Sequence, residues 1–206
     1  MTLRTIRRVA WLGVAVLCLV VGVVAGTSIL QATKPEPDLL ATSTRAIAIG
    51  SEFSLVDPEG RIRTWSEFRG RPVALFFGFT NCPDICPTTL GELSVHLAGL
   101  GSRGDELSVV LISADPARDT PQALAAYLQS FDPRIVGLTG SEEAVAKTFS
   151  DFNAFRKVVP LEGGDYTVDH TAGVFLFDRE GGFAGTLDLH ESQEVQRAKL
   201  ERLLDA

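Results

Sequence analysis

Cys82 and Cys86 stand four positions apart in the segment Thr80-Asn-Cys-Pro-Asp-Ile-Cys-Pro87. Two sulfurs so placed can do several things. As thiolates they bind a soft metal ion or attack a disulfide. Joined to each other they form a static bridge, which an oxidising compartment permits, although a bridge closing so short a loop constrains the unfolded chain little. Pro87 suits the first position of a helix and disfavours α conformation in the residue before it, so the order of residues predicts Cys86 near an N-cap and Cys82 in the preceding loop. Both thiols then face the positive end of a helix dipole, which favours thiolate over thiol.

Two thiolates suit copper(I) or zinc, and structural zinc normally takes four protein ligands. The histidines therefore decide. His96 follows Cys86 by ten positions on one predicted helix, about 15 Å along its axis; it cannot share the metal and reads as a surface or packing residue. His190, beside Glu191, reads as a loop or helix-entry residue. His170 lies in Tyr166-Thr-Val-Asp-His170-Thr171, immediately before an apolar strand. It is a ligand if the fold carries that strand to the cysteine loop and a structural histidine if it does not. The only methionine is Met1, so a copper site here must be built from thiolate and imidazole. Cys18 sits inside an uncharged apolar run and reads as filler.

The elements that must position these groups follow from periodicity. Phe53 to Trp65 alternates around Asp57-Pro58-Glu59-Gly60 and predicts a hairpin. Val73–Phe79 and Leu107–Ile112 are continuous apolar runs suited to strands buried on both faces, and Thr88 to Leu100 between them has helical spacing at Leu90, Leu93, Leu97 and Leu100. Strand, helix and strand in that order make a parallel crossover, which puts the cysteines at the carboxyl end of its first strand, where open α/β sheets place their sites. Helices are expected at Pro121 to Phe131, Glu142 to Phe152 and Glu194 to Leu204, and a short strand at Ile135–Leu138. Val174–Phe177 and Phe183–Leu187 form a closing hairpin. A mixed sheet flanked by helices, entered and closed by hairpins, is an α/β, thioredoxin-like layout, one of several that periodicity admits.

The chain has 206 residues, of which 45% are hydrophobic and 22% charged. That fits one folded domain plus a short extension and excludes a disordered, collagen-like or many-times-spanning chain. Arg4, Arg7 and Arg8 precede an uncharged run, residues 9–30, that is long enough as a helix, at about 33 Å, to cross the hydrocarbon layer. With its basic residues on the amino side, the positive-inside rule puts residues 1–8 in the cytoplasm and everything after the span outside. A cleaved signal peptide is the competing reading, with Val23 and Ala25 as the small residues of a cut, but the run exceeds the usual apolar core of such peptides, about 7 to 15 residues. Eight residues before the span leave no room for a transit peptide, so a bacterial plasma membrane is expected, with the C-terminal domain periplasmic. Residues 31–48, with Lys34-Pro35-Glu36-Pro37-Asp38, read as a tether, and residues 49–206 as the folded domain. After residue 8 the chain has 16 basic and 26 acidic residues. So acidic a domain repels phosphate backbones, and nucleic acid is excluded as a partner.

Phe77-Gly-Phe-Thr-Asn-Cys-Pro-Asp-Ile-Cys-Pro87, Ser113-Ala-Asp-Pro-Ala-Arg-Asp119 and Val168-Asp-His-Thr171 together resemble the signature segments of the Sco/SenC proteins. These are membrane-anchored, thioredoxin-like copper chaperones for the CuA centre of cytochrome c oxidase. The resemblance runs from about Ile47 to the C-terminus and includes the anchor. It implies that Cys82, Cys86 and His170 ligate copper, and that Asp169 supports copper loading and contact with a partner. The implied partners are the CuA-bearing subunit of the oxidase and an upstream copper donor. Asp115 and Asp119 also match, and are expected to shape their loop and cap the helix after Thr120. A thiol–disulfide oxidoreductase that keeps the CuA cysteines reduced is the alternative function. Against it stands the three-residue spacer between the cysteines, since the thioredoxin redox motif has two. A thiol peroxidase would need an arginine positioned by motif beside one cysteine, and none is found.

Overall fold

The computed structural model describes residues 49–206 and, singly, Leu19. The rest of the expected span at 9–30, the tether at 31–48 and Cys18 lie outside the described residues. Among those described, no helix is long and apolar enough to cross a membrane.

The elements in chain order are β1 (Ser54–Val56), β2 (Ile62–Thr64), β3 (Val73–Gly78), α1 (Ile85–Leu100), β4 (Ser108–Ser113), α2 (Pro121–Leu128), β5 (Ile135–Leu138), α3 (Glu142–Asp151), β6 (Arg156–Pro160), β7 (Tyr166–His170), β8 (Val174–Phe177), β9 (Phe183–Leu187) and α4 (Gln193–Asp205). Five strands form the central sheet in the order β5-β4-β3-β8-β9. β3, β4 and β5 run parallel, while β8 lies antiparallel to β3 and β9 to β8. This is the mixed α/β, thioredoxin-like arrangement the periodicity suggested. β3 and β4 are buried at every position, which is what a continuous apolar run requires of a central strand covered on both faces.

The entry hairpin β1–β2 docks through a backbone bridge between Val56 and Thr139. It closes an aromatic cluster in which Trp65 meets Phe152 edge-on at 5.3 Å and Phe177 at 5.0 Å. Thr120, Ser141 and Ser192 cap α2, α3 and α4, each hydroxyl accepting a backbone N–H from the first turn, the usual way to satisfy orphan donors there.

Three local expectations need correction. α1 begins at Ile85, so Pro87 is its third residue and Cys86 lies inside the first turn rather than at the cap. The missing proline N–H costs nothing there, because the first four helical N–H groups have no intrahelical acceptor. α2 ends at Leu128, where Phe131 turns back to donate its N–H to the Leu128 carbonyl at 3.0 Å. Finally, β6 and β7 form a hairpin of their own that apolar patterning does not reveal. Only Val168 of its ten residues is fully buried, so it carries no hydrophobic run. His170 is therefore the last residue of β7, not the start of the connection into β8.

Candidate metal centre

Cys82, Cys86 and His170 come together at the carboxyl end of β3. Their two sulfurs and one ring nitrogen all lie within 4.8 Å of one another. Cys86, fully buried, is held by the first turn of α1, and its N–H donates to the Cys82 sulfur at 3.4 Å. Cys82 is half-buried in the loop before α1, its own N–H donating to the Phe79 carbonyl at 3.3 Å. Both cysteines are free thiols, so the static bridge is not the form described.

His170 reaches across from β7 to place Nε2 3.5 Å from the Cys86 sulfur. Its Nδ1 donates to the Thr171 carbonyl at 2.9 Å, which fixes the tautomer and leaves the Nε2 lone pair aimed at the sulfurs. Phe79 and Phe76 meet the imidazole edge-on, at 5.6 and 6.1 Å. Gly78 makes the approach possible: a Cβ there would stand 3.1 Å from the Cys86 sulfur and 2.6 Å from the Phe76 ring.

The two thiols are not equivalent, contrary to the expectation that a helix dipole would activate both. The Cys86 thiol and the Asp84 and Cys86 backbone N–H groups bring the Cys82 thiol down to about 4, against burial. The Cys86 thiol is pushed up, first by the Cys82 sulfur beside it and then by burial. One proton is shared by two adjacent sulfurs, and the half-exposed one gives it up.

The donor set fits a soft ion. An ion bound at about 2.0 to 2.3 Å from two sulfurs and a nitrogen holds them about 3.5 to 4 Å apart, so the observed cluster needs only a small contraction. Three ligands leave a coordination position open.

Asp169 is not part of the cluster. It is exposed, paired across the hairpin with Lys157, and strand alternation turns it away from His170. His96 is a packing residue, its Nε2 2.8 Å from Gln196 Oε1, and His190 sits exposed on a turn beside Asp188. Asp115 and Asp119 do shape the loop after β4, but neither caps α2. Asp119, fully buried, accepts from the Thr80 hydroxyl at 2.6 Å, the Thr80 N–H at 3.2 Å and the Ser113 hydroxyl at 2.7 Å. Sequence reasoning missed Thr80, Arg118, Arg156 and Tyr166 around the site. The only signal for Thr80, Arg118 and Tyr166 was their position in or beside the motif segments, and Arg156, which lies in none, carried no signal.

A profile of the SCO1/SenC family matches residues 41–205. The chain belongs to the SCO1/SenC family. It is 39% identical over 160 residues to protein sco1 of Schizosaccharomyces pombe, covering 76% of this chain and 60% of that one. It is 41% identical over 143 residues to the mitochondrial SCO2 homolog of Bos taurus, covering 68% and 54%. The chain thus spans somewhat over half the length of these SCO relatives. The solved structure of Bradyrhizobium japonicum ScoI with copper bound superposes with a TM-score of 0.72 at 42% identity, covering 76% of this chain and 99% of that one. Within this SCO1/SenC fold the cysteine loop, α1 and the β6–β7 hairpin are the parts that build the three-donor cluster.

Proposed function

We propose that this protein is a membrane-anchored copper chaperone that holds copper through Cys82, Cys86 and His170 and passes it to the CuA site of cytochrome c oxidase. The convergence of two sulfurs and one imidazole within 4.8 Å carries the reading. Three protein ligands retain the ion yet leave room for an acceptor's cysteine to enter and take it by ligand exchange. Cys82, on the exposed side, is the ligand best placed to leave first. An upstream donor would load the site by the same exchange in reverse. Asp169, exposed beside His170, is available to a docking partner. The uncharged run at residues 9–30, with arginines only before it, supports a single span in a bacterial plasma membrane with the copper-binding domain in the periplasm.

Copper and zinc offered in competition to the purified full chain test the first half. The reduced chain should take up one copper in preference to zinc, following the general affinity order for divalent ions and the softness of copper(I). The oxidised chain should take up far less. Equal binding by both forms would contradict the reading. A reporter fused after Ala206 should be active only outside the cytoplasm; activity inside would end the periplasmic assignment.

The pairing of a half-exposed Cys82 thiolate with a buried Cys86 favours a second reading as thiol–disulfide oxidoreductase. The Cys82 thiolate would attack one sulfur of a partner disulfide and release the other as thiolate. Cys86 would then lose its proton and displace the partner's second thiolate, leaving a Cys82–Cys86 disulfide and a dithiol partner.

A further inference from the structure

His170 and the cysteines belong to structures that share no backbone ladder. β6–β7 is a separate two-stranded sheet, and among the described residues no backbone hydrogen bond joins it to the five-stranded sheet that carries the cysteine loop. Three residues, Thr171 to Gly173, connect His170 to β8. A metal site made from two such bodies needs something besides the main chain to set the distance between them.

The segment between β4 and α2 supplies it. On one side, Asp119 binds the Thr80 hydroxyl and N–H, two residues before Cys82. On the other, two arginines grip the hairpin. Arg118 bridges an ion pair with Asp115 to the Tyr166 carbonyl at 3.0 Å and Asp165 at 3.2 Å, with its guanidinium 3.8 Å over the Tyr166 ring. The Tyr166 hydroxyl returns a hydrogen bond to Asp115 at 2.9 Å. Arg156, the direct cross-strand partner of His170, donates Nε to the Ala114 carbonyl and both terminal nitrogens to Glu142 at the start of α3. Ala114 N–H is in turn fixed to the Gly78 carbonyl at 2.7 Å. The hairpin is thus fastened at both ends to one loop, and that loop is fastened to the strand and turn that present the sulfurs.

Resting on the copper reading above, we infer that Arg118 and Arg156, with Asp115 and Asp119, are positioning residues that set the separation of His170 Nε2 from the Cys82 and Cys86 sulfurs. Among the described residues, none of the four is hydrogen-bonded to either sulfur or to the imidazole, whose partners are Cys86 and the Thr171 carbonyl. The two arginines act on the metal and not on the dithiol: Cys82 and Cys86 share a loop and the first turn of α1, so their mutual geometry survives a displaced hairpin, whereas the third ligand does not; Asp119, which anchors Thr80, holds the cysteine side.

The test uses the reduced full chain in detergent micelles. Copper affinity is measured by chelator competition, copper(II) coordination by the thiolate-to-metal absorption band, and the dithiol by its equilibrium with glutathione. The parental chain is measured first; if it binds no copper, the copper reading fails independently of this inference. Arg118→Ala and Arg156→Lys should each weaken copper binding on the order of 10 to 100-fold, the range for groups that orient a ligand, and should alter the band while leaving the glutathione equilibrium in place. Lysine fails at 156 because a point charge cannot reproduce the fork that spans Ala114 and Glu142. Tyr166→Phe keeps the ring under Arg118 and removes one hydrogen bond, so it should fold and show a smaller loss of the same kind. Unchanged copper affinity and spectrum in Arg156→Lys and Tyr166→Phe would overturn the inference, as would copper affinity and glutathione equilibrium shifting together by the same factor.

Discussion

Replacing His170 with alanine separates what the imidazole does for the fold from what it does for the metal. The packing loss can be read from its two edge-on contacts, to Phe79 at 5.6 Å and Phe76 at 6.1 Å. At about 0.5 to 1.5 kcal/mol each, these amount to roughly 1 to 3 kcal/mol of stability, which leaves a domain of ordinary stability folded. The metal loses more. Disturbing a group that merely orients a ligand costs about 10 to 100-fold in affinity, so deleting one of three ligands should exceed about 100-fold, or about 2.7 kcal/mol. Among the described residues neither remaining histidine is placed to step in, since His96 is bonded to Gln196 inside the core and His190 sits on a turn beside Asp188, and none of the described residues is a methionine. Copper(II), which favours nitrogen donors, should suffer most. The dithiol should still oxidise and reduce, since Cys86 N–H to Cys82 sulfur lies within one loop and helix turn. Chelator competition for copper, run beside a glutathione equilibrium on the same variant, reads both. Copper affinity within about tenfold of the parental chain would refute the assignment of His170 as a ligand. Should this variant also support normal CuA assembly in copper-limited cells while Cys82→Ser does not, the oxidoreductase reading takes over.

Three further outcomes follow from the geometry. Gly78→Ala inserts a methyl 2.6 Å from the Phe76 ring and 3.1 Å from the Cys86 sulfur, and denaturant unfolding should find the domain about 1 to 3 kcal/mol less stable, with copper affinity also reduced. Alkylation of Cys82 should be half-maximal near pH 4 instead of near 9; because the thiolate is the reacting form, the rate falls only as pH drops through the lower value, and a midpoint near that of an ordinary thiol would refute the asymmetry of the pair. His96→Leu leaves the buried Gln196 carbonyl oxygen without its partner, which should cost about 1 to 3 kcal/mol in unfolding while copper binding stays unchanged, since this histidine is remote from the sulfurs.

The sequence by itself determined the scaffold and half of the site. Apolar runs at β3, β4, β5 and β8, the leucine spacing of α1 and the residue patterns of α2, α3 and α4 are local signals, and each element formed within a few residues of where they put it. Cys82 and Cys86 were legible as a pair for the same reason, since the separation of two groups on one loop and one helix turn depends on nearby backbone alone. His170 lies 84 positions from Cys86, and only the folded chain could bring it there. Periodicity could not find β6–β7, because a hairpin with one buried residue has no apolar pattern to find. The unequal thiols also belong to the tertiary structure: one sulfur is buried and the other half-exposed, so a single proton settles on the first. Of the clamp, Arg118, Asp115 and Asp119 were visible only as residue types within a motif, and Arg156 lies outside every motif segment. What those side chains hold together depends on partners up to 51 positions away, a relation that no local pattern encodes.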